Sequence, residues 1–256
     1  MSTAGRPRTV IIIPARYGSE RLPGKMLADI GGRPMIQHVV ERAGRSLLAD
    51  EVLVATDDER IAACVRGFGG RSVMTPAECS SGSDRVAYVA RSLDNAEVVV
   101  NLQGDEPLIE PAMIDEAIRP LHEDPSLGAS TPVRMVSTQA ELHNPALPKV
   151  VLDRQGNCIY FSRTPIPFLR DVPPEHWLEH HTFYRHIGLY VFRRALLLRF
   201  ASLPQTPLER AEKLEQLRIL EHGEHIRAVI TTYDSVGVDT ASDLERVRTQ
   251  VGARHG

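Results

Sequence analysis

Arg16, Arg21 and Lys25 fall within one short stretch near the start of the chain, among Gly18, Ser19, Pro23 and Gly24. A loop of this kind suits a polyphosphate. Glycine-containing backbone offers N–H donors, and the cations neutralise the anion. It is not a Walker A loop, which needs Gly, four residues, then Gly-Lys and a Ser or Thr. Five residues separate Gly18 from Gly24, and Met26 follows Lys25, so no hydroxyl is ready for Mg²⁺. A Rossmann G-x-G-x-x-G is absent as well. On charge alone the stretch reads as a solvated surface loop. Its position reverses that. It follows Val10-Ile11-Ile12-Ile13, a β-branched run that reads as a strand (9–13) buried on both faces of a parallel sheet. Pro14 ends the run, having no N–H for a ladder. Ligands of open α/β sheets bind just past the carboxyl ends of strands.

A second chemical group follows a second apolar strand, 98–102, which leads into Gln103-Gly104-Asp105-Glu106-Pro107. Carboxylates beyond a strand end, beside a glycine, suit Mg²⁺, and Asp105 is the expected ligand. If both strands run parallel, metal carboxylate and phosphate cations share one sheet edge. Gln103 carries donor and acceptor on one amide and suits either a nucleotide or a sugar. Ser80-Ser81-Gly82-Ser83-Asp84-Arg85 precedes a helical segment, 86–93. It reads as an N-cap cluster, or as donors that contact the edge of a base. Near the end, Gly237-Val238-Asp239-Thr240 precedes a helix from about residue 242; Thr240 reads as its cap, and Asp239 could share the task.

The run Ile13-Pro14-Ala15-Arg16, then Ser19 and Arg21-Leu22-Pro23-Gly24-Lys25, resembles the signature loop of the cytidylyltransferases that activate acidic sugars. Among them, the branch using 3-deoxy-manno-octulosonate (Kdo) is the most similar. Val100-Asn101-Leu102-Gln103-Gly104-Asp105-Glu106-Pro107 is similar to the second motif of that family. Tyr160-Phe161-Ser162-Arg163, Arg185-His186-Ile187-Gly188-Leu189-Tyr190, Leu214-Glu215-Gln216-Leu217-Arg218 and Gly237-Val238-Asp239-Thr240 follow later ones in order. The chain departs from the pattern at Glu20, Met26 and Ser83-Asp84. The resemblance implies a nucleotide-diphospho-sugar transferase type of fold, CTP and Kdo as substrates, Mg²⁺ as cofactor and a homodimer. It implies nucleotide contacts at Ala15, Arg16, Ser19, Arg21, Lys25, Ser81, Arg85 and Gln103. It implies sugar contacts at Gln103, Arg163, His186, Tyr190, Glu215 and Gln216. Asp239 joins Asp105 as second metal ligand, and Arg16, Lys25, Asp105 and Asp239 form the catalytic set. No side chain stands out as a general base, so the cation is expected to activate the attacking hydroxyl.

The elements that must position these groups alternate. After the first strand come a helix over 35–45, a strand 51–55, a helix through Val65, a strand 72–74 and the helix 86–93. This is the pattern of a parallel sheet with helices on its faces. A helix 111–121 and a strand 129–133 continue it. Then the pattern changes: 149–152 and 158–162 read as a hairpin around Gln155-Gly156-Asn157, and 164–174 is a proline-rich extended loop. His180-His181 reads as an exposed dimer or lobe surface rather than a metal site, because neighbours on an extended chain point apart. The strand 187–192 re-enters the sheet, a single helix over 208–220 buries Leu208, Ala211, Leu214, Leu217 and Ile219, and 226–232 is the last strand. The expected architecture is α/β, a Rossmann-like mixed but mostly parallel sheet with helices on both faces. Residues 1–133 and 193–256 make the nucleotide-binding domain, and 134–192 a smaller sugar-binding and dimerisation lobe.

Composition excludes several classes. Net charge is −3, so no basic field points to nucleic acid. No apolar run has the length of a membrane span, and Met1 to Arg8 is polar without an apolar core, so neither membrane nor secretory leader is expected. Cys64, Cys79 and Cys158 lack metal spacing and read as reduced cytoplasmic thiols. The rivals are a synthetase for another acid sugar (sialic acid or 8-amino-Kdo) and a nucleotide-binding regulatory module.

Overall fold

Strand β1 (Thr9–Ala15) is buried along its whole length, and its alternate side chains serve two cores. Ile11, Ile13 and Ala15 pack with helices α1 (Met35–Ala43), α2 (Glu59–Gly67), α4 (Pro111–Glu123) and α10 (Ala241–Ala253). Val10 and Ile12 pack with α3 (Gly82–Arg91), α7 (Arg194–Ser202) and α9 (Gln216–Glu221) on the other face. An unbroken β-branched run is what a strand covered on both sides requires. The computed structural model describes residues 6–19, 21–79 and 81–253. Glu20, Ser80 and the first five residues, read above for a leader, lie outside them.

β1 lies between β4 (Glu51–Thr56) and β6 (Val98–Leu102), parallel to both, and β5 (Ser72–Met74) extends the parallel set beyond β4. Ile12 pairs with Leu53 on one side and Asn101 on the other. A small ribbon, β2 (Asp29–Ile30) with β3 (Arg33–Pro34), stands apart. Beyond β6 the sheet becomes mixed. β11 (Leu189–Arg193) inserts antiparallel between β6 and β7 (Ala129–Met135). β12 (Ile226–Ile230) runs parallel to β7 on its other edge. β10 (Tyr184–His186) continues along β7, and the hairpin β8 (Lys149–Leu152) and β9 (Cys158–Ser162) adds beyond it. β1, β4 to β8 and β12 thus point one way and β9 to β11 the other. The consequence for function is local: β1 and β6 are neighbours and end at the same edge, so the loops after Ala15 and Leu102 face each other.

The segment between β7 and β11 hydrogen-bonds into the same sheet and has a small apolar cluster of its own, Val136, Leu142, Trp177 and Phe183. It contains short helices α5 (Gln139–His143) and α6 (Trp177–His180), which the sequence pattern does not announce. His180 and His181 are exposed, His181 lying edge-on to Phe183.

One expected element is corrected. The helix over 208–220 is two, α8 (Pro207–Glu212) and α9, broken where Lys213 turns left-handed at φ 54°. Leu208 is 38% exposed, whereas Glu209 is 3% exposed. The burial is tolerable because Arg218 meets the carboxylate with two donors, Nε at 2.8 Å and Nη2 at 2.5 Å. Leu214, Leu217 and Ile219 are buried as the apolar spacing predicts, but in α8 Glu209 takes the inward place and Leu208 and Ala211 are exposed, and Glu215 does not share a helical face with Leu208. It sits at the N-cap of α9.

Candidate active site

The loop after β1 folds back on itself. Gly24 and Ser19 both donate their N–H to the Tyr17 carbonyl, each at 2.9 Å. Gly24 takes φ +70°, which a side chain would resist, and the Arg60 guanidinium stacks on the Tyr17 ring 3.3 Å from its centroid. The turn sends Lys25 inward, where it is 7% exposed. Its ammonium donates to Asp105 Oδ2 at 2.6 Å, the Val238 carbonyl at 2.9 Å and Asp239 Oδ1 at 3.1 Å. Arg21 reaches Asp239 Oδ2 at 3.0 Å, and the Val238 N–H donates to the Asp105 carbonyl at 2.9 Å. Residues from three distant stretches of chain thus converge on one point. Thr240 caps α10, its hydroxyl accepting the Asp243 N–H at 3.2 Å, so the Asp239 carboxylate is left to the cations.

Around that point lies a cleft of about 420 Å³. Of the residues singled out in the sequence, Ala15, Arg16, Ser19, Arg21, Lys25, Ser81, Arg85, Gln103, Asp105, Glu215 and Asp239 line it. Pro14, Met26, Cys79, Gly82 and Gly104 line it too, and the sequence did not single them out for that role. The glycines were detectable as close approaches. A Cβ on Gly104 would stand 3.0 Å from Met26 Sδ and 3.1 Å from the Pro14 carbonyl, so only glycine lets the two strand-end loops touch. A Cβ on Gly82 would stand 3.3 Å from Pro14 Cγ.

Ser81 is the N-cap of α3 in a capping box with Asp84, its hydroxyl accepting the Asp84 N–H at 3.1 Å. It caps α3 and also lines the cleft. Arg85 is 4% exposed and held by Asp57 at 2.8 Å and by the Thr75 hydroxyl.

A chain of hydrogen bonds not foreseen from the sequence crosses beside the cleft. Gln103 Nε2 donates to Asn101 Oδ1 at 3.1 Å, Asn101 Nδ2 to the Ser83 hydroxyl at 3.2 Å, and Ser83 to Glu215 at 2.7 Å. Four sugar-side residues do not line the cleft. Arg163 gives its donors to the carbonyls of Glu212 at 2.7 Å, Pro145 at 3.0 Å and Lys213 at 3.2 Å. His186 lies against Thr131 Oγ1 at 2.9 Å and edge-on to Phe161, with the Tyr190 ring 5.1 Å away. Gln216 is 4% exposed, and its Nε2 has no hydrogen-bond partner among the described residues.

Burial shapes the titration of this region. It pushes His186 down to about 3, with the Arg185 charge adding to the effect, so the imidazole is neutral. It raises the Tyr190 phenol far above its usual range and the Cys79 thiol above its own. Burial of the Glu106 carboxyl, with Asp105, Asp234 and Asp239 nearby, pushes it up to about 7 against the opposing Ser235 hydrogen bond.

Among the described residues no group of three or more His, Cys, Asp or Glu side chains is placed to hold a metal. The donors that do converge are two carboxylates and a carbonyl, all hard oxygens, and they already surround a cation, the Lys25 ammonium. That donor set suits Mg²⁺ completed by water or substrate.

Comparison with known proteins agrees with this construction. Residues 10–226 match the cytidylyltransferase family. A 3-deoxy-manno-octulosonate cytidylyltransferase of Geobacter sulfurreducens is 54% identical over 243 residues, covering 92% of this chain and 96% of the relative. One of Pelobacter propionicus is 50% identical over 249 residues, covering 94% and 96%. A solved CMP:2-keto-3-deoxy-manno-octonic acid synthetase, complexed with CTP, superposes with a TM-score of 0.90 at 42% identity, over 96% of this chain and 99% of that one. With the loop, the two converging aspartates and these likenesses in agreement, the chain belongs to the cytidylyltransferase family, and within it to the 3-deoxy-manno-octulosonate cytidylyltransferases.

Proposed function

We infer that the protein is a nucleotidyltransferase that converts CTP and Kdo to CMP-Kdo and diphosphate, for lipopolysaccharide synthesis. The observation that carries this reading is the meeting of Lys25, Arg21, Asp105 and Asp239 at the mouth of the cleft, at the end of β1 and β6. The anomeric hydroxyl of the sugar attacks the α-phosphorus of CTP in line. The new P–O bond forms as the bond from the α-phosphorus to the α–β bridging oxygen breaks; diphosphate leaves with that electron pair, and the hydroxyl proton passes to solvent water. Such a step needs alignment and charge neutralisation more than covalent catalysis. Arg16, Arg21 and Lys25 bear the triphosphate charge, and Ser81, Arg85 and Gln103 form the nucleotide end of the cleft.

Asp105 and Asp239 are the residues that would hold Mg²⁺. When bound it supplies Lewis-acid stabilisation of the phosphoryl oxygens and lowers the pKa of the attacking hydroxyl. The sugar belongs beside Glu215, and the buried Nε2 of Gln216, without a partner among the described residues, is the donor to meet one of its hydroxyls. For Arg163 to receive the sugar carboxylate, its guanidinium must exchange backbone carbonyls for that group, which offers charge and bidentate geometry in return. Neutral His186 and Tyr190 flank this end. The same reading makes the protein a homodimer acting in the cytoplasm. Among the described residues no helix is long and apolar enough to cross a membrane.

Diphosphate release with CTP, Mg²⁺ and a panel of Kdo, 8-amino-Kdo and sialic acid tests the reading. Kdo-dependent release is expected. Release with another acid only would move the protein to a sister activity, and no release with any acid sugar would leave a regulatory module. Asp105→Asn should abolish turnover while the circular dichroism spectrum stays unchanged; near-normal turnover in that variant removes Asp105 from the mechanism.

A further inference from the structure

Glu106 has no part in the chemistry above, yet it is set against three other acids. Asp105 precedes it, and Asp234 and Asp239 lie close enough to act on it. A carboxyl among like charges costs folding free energy. Its contacts say what it does. The Ser235 hydroxyl donates to its Oε2. Its Oε1 lies 3.5 Å from where a Cβ on Gly237 would stand. One residue earlier in the chain, the Asp105 carbonyl accepts the Val238 N–H at 2.9 Å. The irregular segment between β12 and α10 is thereby fastened to the loop after β6 at two consecutive residues, by a side chain at Glu106 and by backbone at Asp105. From the other side, Arg134 holds Asp234 at 2.9 Å, and Arg185 holds it as well. Asp239 comes right after this fastened stretch.

We propose that Glu106 is a positioning residue: through Ser235 it fixes the segment between β12 and α10 so that Asp239 faces Asp105. It is not among the residues that line the cleft. The proposal rests on the reading that the two aspartates hold a divalent cation, so its test separates the two.

Mn²⁺ binding to the protein without substrates, followed by electron paramagnetic resonance, is the first readout. Amide hydrogen exchange at Val238 in the metal-free protein is the second. Glu106→Ala should weaken Mn²⁺ binding by about 10- to 100-fold, as loss of an outer partner of a metal ligand does, and speed exchange at Val238. Ser235→Ala should act in the same direction, and the double variant should be no worse than Glu106→Ala alone, since the two side chains act as one unit. Glu106→Gln should retain Mn²⁺ binding, because its amide oxygen still accepts the Ser235 hydroxyl. Wild-type Mn²⁺ binding with unchanged Val238 exchange in both Glu106→Ala and Ser235→Ala overturns the proposal, as does a Glu106→Gln variant as impaired as Glu106→Ala. Should Glu106→Ala fail to fold, Ser235→Ala carries the same comparison with Glu106 in place. Asp239→Asn tests the underlying reading: wild-type Mn²⁺ affinity there ends the metal assignment, while Val238 exchange in the Glu106 and Ser235 variants still decides the clamp.

Discussion

Lys25 is where the loop after β1 meets the two aspartates. A lysine at 7% exposure would be costly alone. Two carboxylates and a carbonyl within 3.1 Å make it tolerable, and in turn it keeps those carboxylates from repelling each other. Arg21 meets the same Asp239 from outside, with its side chain 65% exposed. The two cations should therefore behave differently. Lys25→Met should lower kcat/KM for CTP on the order of 10²-fold, the loss typical of one preorganised group facing developing charge. Arg21→Ala should have a smaller effect that shrinks as ionic strength rises, because an exposed charge is screened. Diphosphate-release kinetics at low and high salt check both, and equal, salt-independent losses would contradict the assignment. Both residues were visible in the sequence as cations of a strand-end loop. That one is buried between aspartates was not visible, because burial depends on residues 80 and 214 positions away.

At the scale of elements, strands and their end loops were the readable part. β-branched runs, hairpin turns and capping residues are local signals, and β1, β5, β8 and β9 lie where those signals place them, within two residues. The exception is the stretch around α8 and α9. Its apolar spacing fits one helix, and no local rule reveals that Glu209 is buried against Arg218, nor that Lys213 turns left-handed. This ion pair anchors the two short helices to each other and holds Glu215 and Gln216 at the start of α9. Glu209→Ala leaves the Arg218 guanidinium buried without its carboxylate. It should destabilise the fold by about 3–5 kcal/mol, the usual cost of breaking a buried pair from one side. Urea unfolding measures it; a loss below about 1 kcal/mol would mean the pair behaves like an exposed one. Sugar-dependent KM should rise more than the KM for CTP, since Glu215 and Gln216 sit on the affected helix.

For the whole molecule, acid sensitivity follows from a histidine in the core. His186 stays neutral in the native state down to about pH 3, whereas the unfolded chain protonates it below about 6.5. Between those values the unfolded state binds more protons, so stability is full above pH 6.5 and falls as the pH drops. The slope is about 1.4 kcal/mol per pH unit for one such group. Wild type should thus lose roughly 2–3 kcal/mol more than His186→Gln between pH 7 and pH 4.5, by urea unfolding; equal losses would show that His186 does not carry the acid limb. The same comparison of scales shows what was legible. Hydrophobic period, turn chemistry and motif order are written in neighbouring residues, and they determined the α/β class, the strand-end loops and the family likeness. Only the tertiary structure decided that β11 inserts antiparallel beside β6, that Lys25 stands between Asp105 and Asp239, that Arg163 is held by carbonyls, and that Glu106 ties Ser235 to the site. The physical reason is range: a strand's burial is set by its own alternation, but which strands become neighbours is settled by the packing of the entire sheet, and a site assembled from three of its loops exists only after that packing is complete.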